Sequence, residues 1–282
     1  MADAHELTED VREAWTAVAA GWERNADLVA RAAAPVQRWL VDHLEAKPGQ
    51  TVLELAAGPG DTGFEIAQRL GESGRLISTD ISPAMTEAAQ RRASVFGVAN
   101  VDFRVMDAQK IELEDGSVDG VVHRFGPMLL PDPSASVREA RRVLRVGGRY
   151  VAAVWSAAEK NPWILAMGMS LIMNGVELPG GDPEGPGGIF SLGRPELLQS
   201  LVSEAGFGEL EVEAIEVKWD YKDRDEAWIQ PKELSGPLSV VIAGLDDDKL
   251  AAVRSSFDEL MEQYRAGSGY TIPAEALGVS SR

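Results

Sequence analysis

The chain opens on a helical rhythm. Val11, Trp15, Val18 and Trp22 recur at three- to four-residue spacing, as do Val36, Trp39, Leu40 and His43, so residues 8–45 read as helix. Pro35 is placed to begin a second helix there. After a Lys47-Pro48-Gly49-Gln50 turn the rhythm changes. Short apolar runs at 51–56, 75–79, 101–105, 119–123 and 149–155 read as strands. The stretches 63–70, 83–96 and 133–144 between them read as helices. Ser82 stands as an N-cap with Pro83 at the first helical position, and Gly147-Gly148 stops the third helix. Strands alternating with helices at this pitch predict an α/β fold, a doubly wound and mostly parallel sheet with helices on both faces.

The second half is less regular. Residues 162–174 read as helix, 175–188 as a Gly- and Pro-rich loop, and 195–205 as a helix ended by Gly206. Residues 210–219 alternate acidic and apolar side chains, the mark of a strand with one wet face. The phase changes near Ala214-Ile215, which predicts a bulge. Residues 223–265 read as mostly helical and strongly acidic. Residues 270–280 are the candidate last strand, with Pro273 suited to an edge or a strand start.

Composition narrows the function classes. The 282 residues suit one elaborated domain or two small ones, and 45% hydrophobic content is enough for a packed core. With no cysteine, thiolate metal sites and cysteine nucleophiles are excluded. The net charge is −18, made up of −6 over residues 1–155 and −12 over residues 156–282. Such a surface repels phosphate backbones, so no nucleic-acid partner is expected. The first residues lack a basic segment followed by an apolar one, and no apolar run nears the ~20 residues of a bilayer span. A cytoplasmic protein is the expectation. No His/Asp/Glu cluster has metal-ligand spacing, so no metal is expected.

The chemistry concentrates in Glu54-Leu55-Ala56-Ala57-Gly58-Pro59-Gly60-Asp61-Thr62-Gly63, where the first strand turns into a helix. Glycine there lets backbone approach a ligand, and the helix start offers free N–H groups to an anion. Gly58, Gly60 and Gly63 also spell the dinucleotide fingerprint, with Asp80 about 20 residues on, so the glycines alone do not decide between ligands. Glu54, Asp80 and Asp107 stand at the ends of the first three strands. Three carboxylates suit a positively charged ligand rich in donors and match a pyrophosphate poorly.

These residues resemble motif I of class I S-adenosylmethionine-dependent methyltransferases, in the "type 11" branch that includes ubiquinone/menaquinone-biosynthesis methyltransferases. The resemblance extends through Thr79-Asp80-Ile81-Ser82 with Met85, Asp107-Ala108, Phe125-Gly126-Pro127-Met128, Pro131-Asp132-Pro133, Arg141–Gly148, Val154-Trp155 and Asn161-Pro162-Trp163, over about residues 8–220. It implies a seven-stranded Rossmann-like sheet with an antiparallel last strand. An N-terminal helical lid at 1–46, a core at 47–220, a helical insertion over the substrate at 221–268 and the last strand at 269–282 are expected.

The implied cofactor is S-adenosylmethionine. Gly58 and Gly60 would approach its methionine part, Glu54 and Ala56 are candidate cofactor contacts beside them, and Asp80 would accept from the ribose hydroxyls. Ile81 and Met85 would pack on the adenine, and Asp107 with the Ala108 N–H would meet its edge. Trp22 and His123 are further candidate cofactor contacts. His123 is also the candidate base for the methyl acceptor, with a lining histidine as the alternative reading. Trp15, Phe125, Met128, Trp163, Met167 and Trp228 are the candidate substrate wall, weighed against plain core packing for the tryptophans and methionines. The expected reaction is methyl transfer to O or C of a small, largely apolar or aromatic molecule, such as a quinone-like or natural-product scaffold. A nicotinamide-dependent oxidoreductase and a methyltransferase fold with a non-methylating role are the alternatives. The expected partner is this small molecule, and the sequence allows a homodimer.

Overall fold

Two long helices lead the chain, α1 (Ala4–Arg24) and α2 (Ala26–Leu44), in a computed structural model that describes residues 4–178 and 182–282. The break between them falls at Asn25, not at Pro35, which lies inside α2. An interior proline costs a helix about 3 kcal/mol. Here it is offset by the fully buried stripe Val36, Leu40, Val41 and Leu44.

The alternation then runs as the pattern predicts: β1 (Thr51–Leu55), α3 (Asp61–Leu70), β2 (Arg75–Asp80), α4 (Pro83–Phe96), β3 (Val101–Val105), β4 (Val118–Arg124), α5 (Pro133–Val143) and β5 (Leu144–Trp155). Ser82 caps α4 by accepting from the Met85 N–H, and Asp132 caps α5 by accepting from the Ala135 N–H. Gly147-Gly148 does not end a helix. It lies within β5, where the register against β4 jumps from Val118↔Leu144 to Gly120↔Arg149. Gly147, at φ +79°, supplies the kink that absorbs the extra residues.

Next come α6 (Pro162–Met173), α7 (Pro195–Glu204), β6 (Glu211–Tyr221), α8 (Arg224–Glu233), α9 (Gly236–Ala243), α10 (Asp247–Met261), β7 (Arg265–Ala266) and β8 (Gly269–Ser281). The sheet order is β3-β2-β1-β4-β5-β8-β6, with the two-residue β7 paired to β8. Strands β1 to β5 are parallel, and β8 runs antiparallel to both β5 and β6.

The bulge expected at Ala214-Ile215 is absent. Pairing with β8 runs unbroken from Glu211↔Ser280 to Tyr221↔Tyr270. The side-chain period never slips. The face bearing Glu211 and Glu213 is exposed at its start and buried from Ile215 onward, so the environment changes and not the register. Pro273 lies opposite Lys218 and beyond the last β5 pair at Trp155↔Ala276, so β8 is an edge on that side of the proline. The order of connections reverses between β1 and β4, and ligands of open α/β sheets bind beyond the strand ends at such a point.

Candidate functional site

Beyond β1 the chain turns through Ala56 (φ 49°), Gly58 (φ 54°) and Gly60 (φ 90°) into α3. A side chain at Gly58 would meet no atom within 4 Å, so this position faces open space. Gly63 is different. An ideal Cβ there would sit 2.1 Å from Glu54 Oε2, so only glycine lets the helix start this close to the strand. Ala56 is the non-glycine exception in this turn, and Phe125 after β4 is another, at φ 56°. Left-handed residues at both strands of the switch point mark strain stored at a ligand site.

Glu54 is 3% exposed. Its Oε1 accepts from the Gly63 N–H at 2.8 Å and its Oε2 from the Ser78 hydroxyl at 2.9 Å. Burial pushes its pKa up to about 8 against these two hydrogen bonds and the nearby Arg124 charge. Glu54 thus grips the helix start from beneath and does not line the cleft described below. Asp80 joins the two loops above it. Its Oδ2 accepts from the Gly58 N–H and its Oδ1 from the Ser82 N–H, each at 2.9 Å. Burial raises Asp80 to about 6, opposed by these bonds. Asp107 Oδ1 accepts from the Gln109 N–H at 2.8 Å, and Gln109 Oε1 accepts from the Asp132 N–H at 2.8 Å, tying the loop after β3 to the start of α5.

These loops surround a narrow cleft of about 30 Å³, lined by Ala56, Ile81, Met106, Asp107, Ala108, Gln109, Leu130 and Pro131, and by Thr8 and Val11 of α1. Small-molecule sites run to about 300–1,000 Å³, so the cleft is nearly closed in this conformation. Of the expected contacts, Ala56, Ile81, Asp107 and Ala108 come together here, with Gly58 and Asp80 behind them. Thr8, Val11, Met106, Gln109, Leu130 and Pro131 were not foreseen. Pro131 lies within a motif quoted above, and Val11 belongs to the apolar stripe of the first helix.

Met85 is not in the cleft wall. It is 2% exposed and packs on Val18 and Ala19 of α1. Trp15 and Trp22 meet edge-on at 6.1 Å, and the Trp22 Nε1–H donates to the Leu234 carbonyl at 3.0 Å. These two tryptophans hold α1 down and do not line the cleft. The same helix is held by Thr16 Oγ1, 2.9 Å from Ser82 Oγ, and by two Arg91–Glu23 hydrogen bonds of 3.0 and 2.7 Å.

His123 is 0% exposed with both ring nitrogens unpartnered. It sits directly behind Gly126, where a Cβ would lie 2.1 Å from His123 Nε2 and 2.8 Å from Ala56 Cβ. Burial pushes its pKa down to about 3, so the ring is neutral at physiological pH. So weak a base is mismatched to general-base catalysis at neutral pH. The candidate base is therefore corrected to a buried neutral imidazole one layer behind the cleft wall.

Phe125 begins a row of rings. It stacks on Trp155 at 4.1 Å, Trp155 meets Trp163 edge-on at 5.1 Å, and Trp163 lies 5.2 Å from Trp219, which is parallel to Tyr221 at 6.2 Å. Phe125 and Trp163 thus belong to one row with the buried Trp155, Trp219 and Tyr221, and none of these rings lines the cleft. Met128 and Met167 are fully buried filler. Trp228 packs on Phe257 at 5.2 Å under the Arg254 guanidinium, apart from this row.

One cluster is visible only in space. His43, Glu211 and Glu213 place ligand-type atoms within 4.8 Å of one another. The set joins α2 to β6, so local spacing could not show it. Both glutamates are exposed, Glu213 already accepts from Trp39 Nε1 at 2.6 Å, and none of the three lines the cleft.

Residues 4–170 match the ubiE/COQ5 methyltransferase family. The chain belongs to this family. It is 32% identical to the ubiquinone/menaquinone biosynthesis C-methyltransferase UbiE of Acidiphilium cryptum over 51% of this chain and 58% of that one. It is 33% identical to the aklanonic acid methyltransferase DauC of a Streptomyces species over 41% of this chain and 52% of that one. These matches span about half the length of the curated relatives. The YcgJ protein of Bacillus subtilis shares the fold at a TM-score of 0.57 and 18% identity, over 87% of this chain and 96% of that one.

Membership decides between the two readings of the glycines, in favour of an adenosyl sulfonium over a dinucleotide. The residues present fit S-adenosylmethionine, the family's cofactor. Acceptors stand at the ends of β2 and β3, open space lies over Gly58, and Thr62 Oγ1 is buried without a partner in the first turn of α3.

Proposed function

We propose that the protein transfers a methyl group from S-adenosylmethionine to a carbon or oxygen of a small aromatic or largely apolar molecule, quinone-like or a polycyclic natural-product scaffold. The observation that carries this reading is the cleft walled by Ala56, Ile81, Asp107 and Ala108, with Asp80 in the adjoining loop. The names of UbiE, a ubiquinone/menaquinone biosynthesis C-methyltransferase, and DauC, an aklanonic acid methyltransferase, support a small quinone-like or natural-product acceptor.

The cofactor supplies the electrophilic methyl group and its own thioether leaving group. The protein binds and aligns. Asp80 accepts from the ribose hydroxyls, Asp107 accepts from the adenine amino group, and Ile81 packs on the adenine face. Helix α1, through Thr8 and Val11, keeps water out. Alignment of acceptor and methyl for in-line displacement supplies roughly 7–11 kcal/mol of barrier reduction. No base is required of His123 when the acceptor is an already ionised phenol or enolate.

The acidic surface fits a small-molecule partner in place of nucleic acid. Among the described residues no helix is long and apolar enough to cross a membrane. A cytoplasmic location and a homodimer are carried with this reading.

Thermal-shift measurements with S-adenosylhomocysteine and NAD⁺, followed by detection of S-adenosylhomocysteine release with a panel of hydroquinones and polyhydroxylated aromatics, test the proposal. Stabilisation by S-adenosylhomocysteine and its substrate-dependent release are expected. Stabilisation by NAD⁺ alone would end the reading.

A further inference from the structure

In a chain of net charge −18, arginines find partners easily. Arg92 pairs with Asp61 at 2.6 Å, Arg142 with Asp115 at 2.7 Å and Arg149 with Glu45 at 2.5 Å. Among the described residues the arginines without an ion pair are Arg38, which is exposed, Arg141, exposed over the Phe207 ring, and Arg124. Arg124 is half-buried at the end of β4, and its Nη1 is sealed from solvent with no acceptor. A guanidinium stays charged throughout the accessible pH range, so a buried donor on it without an acceptor is destabilising. The fold nonetheless keeps one at the switch point of the sheet.

Its neighbourhood follows from the register. Glu54 pairs with Val122 and Leu55 with His123, so Arg124 stands one residue past the last β1–β4 pair, beside Ala56. Alternation puts Arg124 on the same sheet face as Glu54. The Arg124 charge acts on the Glu54 carboxyl, which also holds the Gly63 N–H of the first turn of α3. Glu54 cannot neutralise Arg124. Its oxygens accept from the Gly63 N–H and the Ser78 hydroxyl and make no ion pair with the guanidinium. In that same first turn Thr62 Oγ1 and Asp61 Oδ2 are also buried without a partner, Asp61 being held by its other oxygen to Arg92.

The sheet order β3-β2-β1-β4 gives the ligand's direction. Asp107 and Ala108 follow β3, Asp80 ends β2 and the glycine turn follows β1. With adenine at β3 and ribose at β2, the opposite end of the cofactor reaches β4. We infer that Arg124 binds the carboxylate at the amino-acid end of S-adenosylmethionine, with Thr62 Oγ1 as a second donor. This rests on the cofactor reading above.

The test is calorimetric titration of S-adenosylhomocysteine and of 5′-methylthioadenosine, which lacks the amino-acid end, into wild type, Arg124→Gln and Arg124→Lys. Arg124→Gln is expected to weaken S-adenosylhomocysteine at least tenfold and to leave 5′-methylthioadenosine within twofold. Arg124→Lys keeps the charge and loses the fork geometry, so a smaller loss with the same selectivity is expected, and it carries the comparison if the Gln variant fails to fold. Equal losses for both ligands, or no loss for either, overturn the inference while leaving the cofactor reading intact. A wild type that binds neither ligand overturns the cofactor reading itself, and the inference with it.

Discussion

Gly63→Ala puts one methyl group into the tightest contact of the site. The new Cβ would lie 2.1 Å from Glu54 Oε2, 2.7 Å from Leu76 Cδ2 and 2.8 Å from Glu54 Cδ. Leu76 is fully buried and the Glu54 carboxyl is fixed by Ser78 and Gly63, so neither retreats freely. Overpacking of this kind costs about 1–3 kcal/mol. Displacing the carboxyl from its two partners costs about 0.5–1.5 kcal/mol for each bond lost. Alanine returns about 1 kcal/mol of helix propensity. The net expectation is a loss of about 3 kcal/mol, a large share of the 5–15 kcal/mol typical of a domain. Urea unfolding with a constant m-value measures it. The same substitution in a Glu54→Ala background, where the obstructing carboxyl is gone, should cost at least about 1.5 kcal/mol less. If the two substitutions add without coupling, the Glu54–Gly63 contact is not what constrains the loop, and the reasoning fails.

Three other outcomes follow from the same geometry. Glu54 and Asp80 have folded-state pKa values of about 8 and about 6, above their ordinary range. Their contribution to stability is therefore full at acid pH and is lost as pH rises, through about 6 for Asp80 and about 8 for Glu54. Glu54→Gln should flatten the fall in urea midpoint between pH 5 and pH 8, and an unchanged slope would refute the assignment. His123→Leu should lower turnover by less than tenfold, measured as S-adenosylhomocysteine release, whereas loss of a true base would cost about 10²–10⁴-fold. Asp80→Asn removes a charged acceptor worth about 1.5–3 kcal/mol, so S-adenosylhomocysteine should bind roughly 10–100-fold more weakly by calorimetry.

The parallel half of the sheet is legible because each strand and helix carries its own period and caps. Ser82 and Asp132 mark helix starts through contacts three residues away. What fails are the features set by distant chain. Pro35 is overruled by burial of the α2 stripe, and the phase change at Ala214 reflects where β6 enters the core. The positions of Gly58, Asp80 and Asp107 after β1, β2 and β3 are legible because strand ends and turns locate them. Met85 is covered by α1, which the period of its own helix does not show. Trp155 and Trp219 meet only because β8 inserts between their strands, which local spacing does not show either.

Helix α1 is clasped at Ser82 on one side and at Leu234 on the other, and its Thr8 and Val11 roof the cleft. On the proposed function that helix would lie across the exit of spent cofactor, and loosening Trp22 or Thr16 is expected to hasten release without altering a single residue beneath.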